Sequence, residues 1–134
     1  MTSLPLTLRV LDTDIFIDLE HKHLPALNWY FSLSVGAIAL PGYALLELYQ
    51  SANNKQQMQS TDIVIAGVPI VWASELENLQ ATANFRRLHL SHGLGLVDSL
   101  IAATALSHKA ILCTSNLKHF RHVPGLVTEQ PYSR

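Results

Sequence analysis

Residues 95–120 read G-L-V-D-S-L-I-A-A-T-A-L-S-H-K-A-I-L-C-T-S-N-L-K-H-F, and the rest of the chain is organised around them. An otherwise apolar helix carries one acid, Asp98, near its start. A short β-like run, Ala110 to Cys113, follows and stops at the polar triplet Thr114, Ser115, Asn116. An ionised carboxylate is costly to bury unless it is paired, hydrogen-bonded or bound to a metal. Asp98 therefore requires partners from elsewhere in the chain.

Working outward, Leu6 to Leu11 is a strand candidate that ends at Asp12, and Thr13 or Asp14 can cap the short helix that follows to Glu20. Asp12 then sits at the carboxyl end of a strand, where α/β sheets place their ligand sites. Leu24 to Ser34 reads as a helix with Pro25 in its first turn, and Val35 to Leu40 as a second strand closed by Pro41-Gly42. Helices are expected over Tyr43 to Ala52 and Lys55 to Ala66, with a third strand over Val68 to Trp72. The longest helical pattern runs from Ala73 to His92, opened by Ser74 and Glu77 in capping-box spacing and ended by Gly93 and Gly95. Ala110 to Cys113 is the fourth strand and Leu126 to Thr128 the fifth. Strands alternating with helices predict an α/β fold with a parallel sheet. No repeat, low-complexity segment or linker divides the 134 residues, so one domain is expected.

Composition narrows the function. Nine Lys and Arg against ten Asp and Glu leave a formal net charge of −1, so any nucleic-acid site must be local. A single cysteine, Cys113, excludes an internal disulfide framework and fits a reducing, cytoplasmic setting. The N-terminus has no basic flank and long apolar core of a signal peptide. The most apolar stretch, Phe31 to Leu46, is broken by Gly36, Pro41 and Gly42, so no membrane span is expected.

Most acids have an ordinary reading: Glu20, Glu75, Glu77 and Glu129 as solvated side chains, Asp18 and Asp62 as surface or capping residues. Three do not. Asp12 lies at a strand end, Glu47 interrupts A-L-L-E-L-Y at 44–49, and Asp98 lies in the stretch quoted above. One such acid can be a cap or a salt-bridged core residue. All three together are better explained by a shared divalent cation, because hard oxygen donors from separate elements suit Mg²⁺ or Mn²⁺. Asp14 can join as a neighbouring group. A zinc site is disfavoured: His21 and His23 do not share a helical face, and His89 with His92 lacks accompanying cysteines.

Four motifs, L-D-T-D-I-F-I-D-L at 11–19, A-L-L-E-L-Y at 44–49, G-L-V-D-S-L-I-A-A-T-A-L at 95–106 and L-C-T-S-N-L-K-H-F at 112–120, occur in this order. With them the sequence resembles the PIN-domain family, and within it the VapC-like toxins of type II toxin–antitoxin pairs. The resemblance runs from the first strand to Gly125-Leu126. It implies a three-layer sandwich with a central five-stranded parallel sheet, and it implies that Asp12, Glu47 and Asp98 converge as metal ligands. A further family position falls at Asn116, which offers a neutral oxygen to a cation or a water, and where relatives often carry Asp before Phe this chain has His119. Both departures lower the negative charge, so one cation is expected rather than two.

On that reading the chemistry is metal-dependent hydrolysis of RNA phosphodiester bonds, with Asp12, Glu47 and Asp98 catalytic. Thr13, Asp14, Thr114 and Asn116 would orient ligands or water, and Lys118 and Arg121 would contact the RNA backbone. The resemblance further implies a cognate antitoxin seated in an apolar groove, to which Trp29, Tyr30, Phe31, Leu45 and Tyr49 are candidate contributors, and a homodimer. Core packing is the competing role for those aromatic residues. Two alternatives stay open: a catalytically silent PIN-like module that binds RNA or antitoxin, and a haloacid-dehalogenase-like phosphatase with Asp12 as nucleophile.

Overall fold

Parallel pairing explains why the strands are separated by helices. In the computed structural model, which describes residues 7–34 and 36–134, β1 (Arg9–Leu11), β2 (Ile38–Pro41), β3 (Ile70–Val71), β4 (Ile111–Cys113) and β5 (Thr128–Glu129) form one sheet in the order β3-β2-β1-β4-β5. Every pairing is parallel. Parallel strands need crossover connections, and seven helices supply them among the described residues: α1 (Thr13–Glu20), α2 (Leu24–Ser32), α3 (Gly42–Ser51), α4 (Lys55–Ile65), α5 (Glu75–His92), α6 (Leu96–Ser107) and α7 (Leu117–Phe120). Val10, Leu11, Leu40, Leu112 and Cys113 are buried in the central strands and share one core with Ile15, Phe16, Leu48 and Ile101 from the helices.

The five-strand parallel expectation holds, with shorter elements. The first and second strand candidates reached to Leu6 and Val35, which lie outside the described residues. The third shrinks from Val68–Trp72 to two residues and the fifth shifts from Leu126–Thr128 to Thr128–Glu129, because only those residues find a ladder partner on β2 and β4. The short helix α7 had no expectation in the sequence.

Helix ends follow their caps. Ser74 accepts a 3.2 Å hydrogen bond from the Glu77 amide at the start of α5, and Gly93, at φ 73, ends that helix in the left-handed conformation that glycine adopts without strain. Helix α1 departs from the expected Thr13 or Asp14 cap. Asp12 is the cap itself, with Oδ1 accepting from the Thr13 amide at 2.8 Å. Asp18 also departs from its surface reading: it is buried and paired with Arg134 at 2.7 Å. Glu20 and Glu129 are half-buried and bonded to Thr61 and Arg9 instead of freely solvated. Among the candidate groove residues, Trp29, Tyr30 and Leu45 pack against the core, whereas Phe31 is 77% exposed. A cavity of about 520 Å³ lies between α1, α3 and α4 and is lined by Ile17, Leu48, Thr61 and Val64.

Candidate active site

The sheet order determines where a site can form. From β1 the chain proceeds to β2 and β3 on one side, then returns to place β4 on the other, so the topological switch falls between β1 and β4. Crevices beyond the carboxyl ends of strands at such a point are the ligand sites of open α/β sheets. Leu11 stands opposite Cys113 in the parallel register, so Asp12 and Thr114 leave the sheet side by side. The Asp12 amide completes the ladder to the Cys113 carbonyl at 2.9 Å, and the Thr114 hydroxyl donates to Asp12 Oδ2 at 2.8 Å.

Asp14 is held by the same loop. Its Oδ2 accepts from the Ser115 amide at 3.0 Å, from the Ser115 hydroxyl, and more distantly from Asn116 Nδ2 at 3.4 Å. The Asn116 amide in turn donates to the Thr114 hydroxyl oxygen at 3.0 Å. Glu47 enters from α3, where the Thr13 hydroxyl donates to its Oε1 at 2.6 Å. Asp98 occupies the first turn of α6, where acids suit the helix dipole, and its Oδ2 accepts from the Gly95 amide at 3.1 Å. His119 Nδ1 lies 3.8 Å from the same oxygen.

Electrostatics tie these acids together. Asp12 is 5% exposed. Burial, then the Asp14 charge, push its carboxyl up to about 7; the Thr114 and Thr13 hydrogen bonds oppose the rise and Asp98 adds to it. Burial also raises the Asp98 carboxyl, against the Gly95 amide and His119, with Asp14 adding to the rise. Like charges gathered in low dielectric are relieved either by a retained proton or by a bound cation.

The donor set fits a hard cation in kind: all are carboxylates, and Asp14 Oδ1 is buried without a hydrogen-bond partner. The set is not drawn closed. Among the described residues no three His, Cys, Asp or Glu side chains already form a metal-holding group. One oxygen each of Glu47, Asp98 and Asp14 accepts instead from Thr13, Gly95 and Ser115.

Asp12, Thr13, Asp14, Glu47, Thr114 and Asn116 are thus joined through hydrogen bonds, and Asp98 through its field on Asp12. Lys118 lies on α7 and Arg121 directly after it, both exposed. Sequence reasoning missed Ser115 and Gly95 as the groups that hold Asp14 and Asp98. The polar triplet was the available signal for Ser115. Gly95 gave none, since its backbone amide makes the contact.

Fold and site together define a class: a parallel α/β protein whose acids gather beyond β1 and β4 at the switch point. The family follows from comparison. The PIN domain model matches residues 9–126, and the chain belongs to that family. Among solved structures, it is similar to VapBC2 from Rickettsia felis bound to a DNA fragment from their promoter, at 28% identity and a TM-score of 0.77 over 91% of this chain and 97% of that one. A toxin–antitoxin complex from Klebsiella pneumoniae is 27% identical with a TM-score of 0.74, covering 94% and 99% of the two chains. DNA-bound VapBC from Salmonella typhimurium shares the fold, at 20% identity and a TM-score of 0.75 over 92% and 97%. No curated protein sequence matches.

Proposed function

We propose that the protein is a metal-dependent endoribonuclease, the VapC-like toxin of a type II toxin–antitoxin pair. The observation that carries this reading is buried Asp12 at the sheet's switch point, tied by hydrogen bonds through Thr13 to Glu47 and through Thr114 and Asn116 to Asp14. Asp12, Glu47 and Asp98 would hold Mg²⁺ or Mn²⁺, with the unpartnered Asp14 Oδ1 beside them. Such a cation, when bound, activates water and stabilises charge on the phosphoryl oxygens.

The chain's own residues supply position. Thr114 fixes Asp12 and Thr13 fixes Glu47, so neither carboxylate turns freely when substrate arrives. Asn116 presents a neutral amide at the mouth of the site, where it orients water without adding negative charge against a phosphate. Similarity to the Rickettsia and Klebsiella complexes supports an antitoxin as partner. A second copy of this chain is proposed with it, and the exposed Leu76 and Leu79 on α5 offer apolar surface for a contact. No helix among the described residues is long and apolar enough to cross a membrane.

A second reading has one observation in its favour. His119 faces Asp98 where relatives often carry an acid, and the ligand set is not closed, which suits a PIN-domain protein that binds without cutting. The PIN family match leaves the phosphatase alternative without support. The deciding experiment is RNA cleavage with Mg²⁺ or Mn²⁺ and with chelator, comparing the wild type with Asp98→Asn. Cleavage that needs the metal and disappears in the variant supports the nuclease. Equal activity in the two proteins defeats it.

A further inference from the structure

A second cavity, about 370 Å³, opens beside the acid cluster. It is lined by Ser91 and His92 at the end of α5, by Gly93, and by Lys118, His119, Arg121 and His122 from α7 and the turn after it. We propose that this cavity is a subsite for the phosphodiester backbone of the RNA strand, in which His92 and His122 act together with Lys118 and Arg121. That the strand is RNA rests on the function proposed above.

Charge singles this cavity out. No acid lines it among the described residues. Of the nine Lys and Arg in the chain, Arg9 and Arg134 are engaged by Glu129 and Asp18. Lys118 and Arg121 make no ion pair among the described residues. A protein of net charge −1 has thus gathered two free cations and three imidazoles into one concave surface.

The histidines add shape. The rings of His92 and His122 stand 3.8 Å apart at 44°, and Ser91 Oγ holds His92 Nδ1 at 2.8 Å. Desolvation, then His92 and Arg121, lower the His122 imidazole below its ordinary value. Two imidazoles in contact beside a guanidinium repel when charged, and a bound anion reverses that repulsion. At about 370 Å³ the cavity falls within the ~300–1,000 Å³ of ligand clefts and has room for a nucleotide-sized group.

The cavity is also continuous with the acids. His119 lines it and stands 3.8 Å from Asp98 Oδ2. A strand with one phosphate at the acid cluster thus has a neighbouring part of its backbone over the cavity. Contacts of this kind position a strand without reading its sequence.

The test is binding of a fluorescein-labelled single-stranded RNA to the full chain in chelator, read as anisotropy across a salt series. Lys118→Gln/Arg121→Gln should weaken binding on the order of tenfold and make the salt slope shallower by about 1.4, near 0.7 for each phosphate no longer neutralised. His92→Gln/His122→Gln should weaken it by a smaller factor, and Lys55→Gln, on the exposed start of α4, should leave it unchanged. The cavity is not the subsite if Lys55→Gln costs as much as the cationic pair, or if the pair costs nothing. Metal-dependent cleavage by a wild type whose variants bind equally well overturns the subsite alone. Weakened binding in the variants with no cleavage by the wild type supports the cavity and overturns the nuclease.

Discussion

The Thr13 hydroxyl donates a 2.6 Å hydrogen bond to Glu47 Oε1, joining the first residue of α1 to the middle of α3 across 34 positions of sequence. Removing that hydroxyl without changing shape, by Thr13→Val, should lower metal-dependent cleavage 10- to 100-fold, the usual cost of losing a group that orients a metal ligand. Stability should fall by only about 1 kcal/mol, since the bond is partly exposed. Thr13→Ser should restore most of the activity. Steady-state cleavage rates beside melting curves separate the two effects, and a fully active Thr13→Val protein would show that Glu47 needs no such hold.

The Asp12 carboxyl at about 7, against an ordinary 3.8, gives stability a direction with pH. Between those values the folded chain keeps a proton that the unfolded chain has released. The stabilisation is complete below about pH 4 and is lost as pH rises through about 7. In chelator, Asp12→Asn should therefore gain on the wild type as pH rises from 5 to 8, by an amount on the order of 2–4 kcal/mol. Asp98, also raised, lowers the stability of both proteins as pH rises and so leaves their difference to Asp12. Mg²⁺ or Mn²⁺ at pH 8 should raise the wild-type melting temperature and leave that of Asp12→Asn nearly unmoved. A wild type whose stability relative to the variant is flat across this window would show that Asp12 titrates normally.

Gly95 offers a way to disturb Asp98 without touching its charge. A Cβ at Gly95 would lie 2.8 Å from Asp98 Oδ2, the atom that the Gly95 amide holds at 3.1 Å. The backbone there, at φ −79, accepts any residue. Gly95→Ala should thus displace the carboxylate and reduce cleavage roughly tenfold or more, while stability changes by no more than about 1 kcal/mol from the weaker helix cap. Unchanged cleavage would mean that Asp98 tolerates displacement, and a large stability loss would mean that Gly95 serves packing instead.

Fold and site were legible to different depths, for identifiable reasons. Ala110 to Cys113 was readable as a strand because it is an apolar run closed by polar residues, and Asp12 was placed at a strand end by the same logic. Strands β3 and β5 were misdrawn because their apolar runs include exposed residues, Trp72 and Val127 among them, and extend past the two residues that pair with β2 and β4. The hold of Ser115 on Asp14 spans 101 positions and depends on β1 and β4 being neighbours, which local pattern does not encode. Asp18 failed for the same reason, since its partner lies 116 positions away.

That partner, Arg134, supplies the remaining prediction. Asp18 is 8% exposed. It accepts from Arg134 Nη2 at 2.7 Å, from Arg134 Nε at 3.0 Å and from the Tyr132 hydroxyl at 2.7 Å. Burial is the largest single influence on the Asp18 carboxyl and raises it, but the bonds from Arg134 and Tyr132 together outweigh it and hold the group below its ordinary value. A depressed carboxyl stabilises above its unfolded value, near 4, and loses that contribution as pH falls through the folded one. Arg134→Met leaves the buried carboxylate with the Tyr132 hydroxyl as its remaining hydrogen-bond donor among the described residues. Because the arginine is 46% exposed, the loss at pH 7 should be about 1–2 kcal/mol rather than the larger cost of breaking a fully buried pair. Urea melts at pH 7 should show the difference, and melts below pH 3 should show the two proteins converging. A gap that persists undiminished in acid would mean that Arg134 contributes through its aliphatic packing and not through its charge.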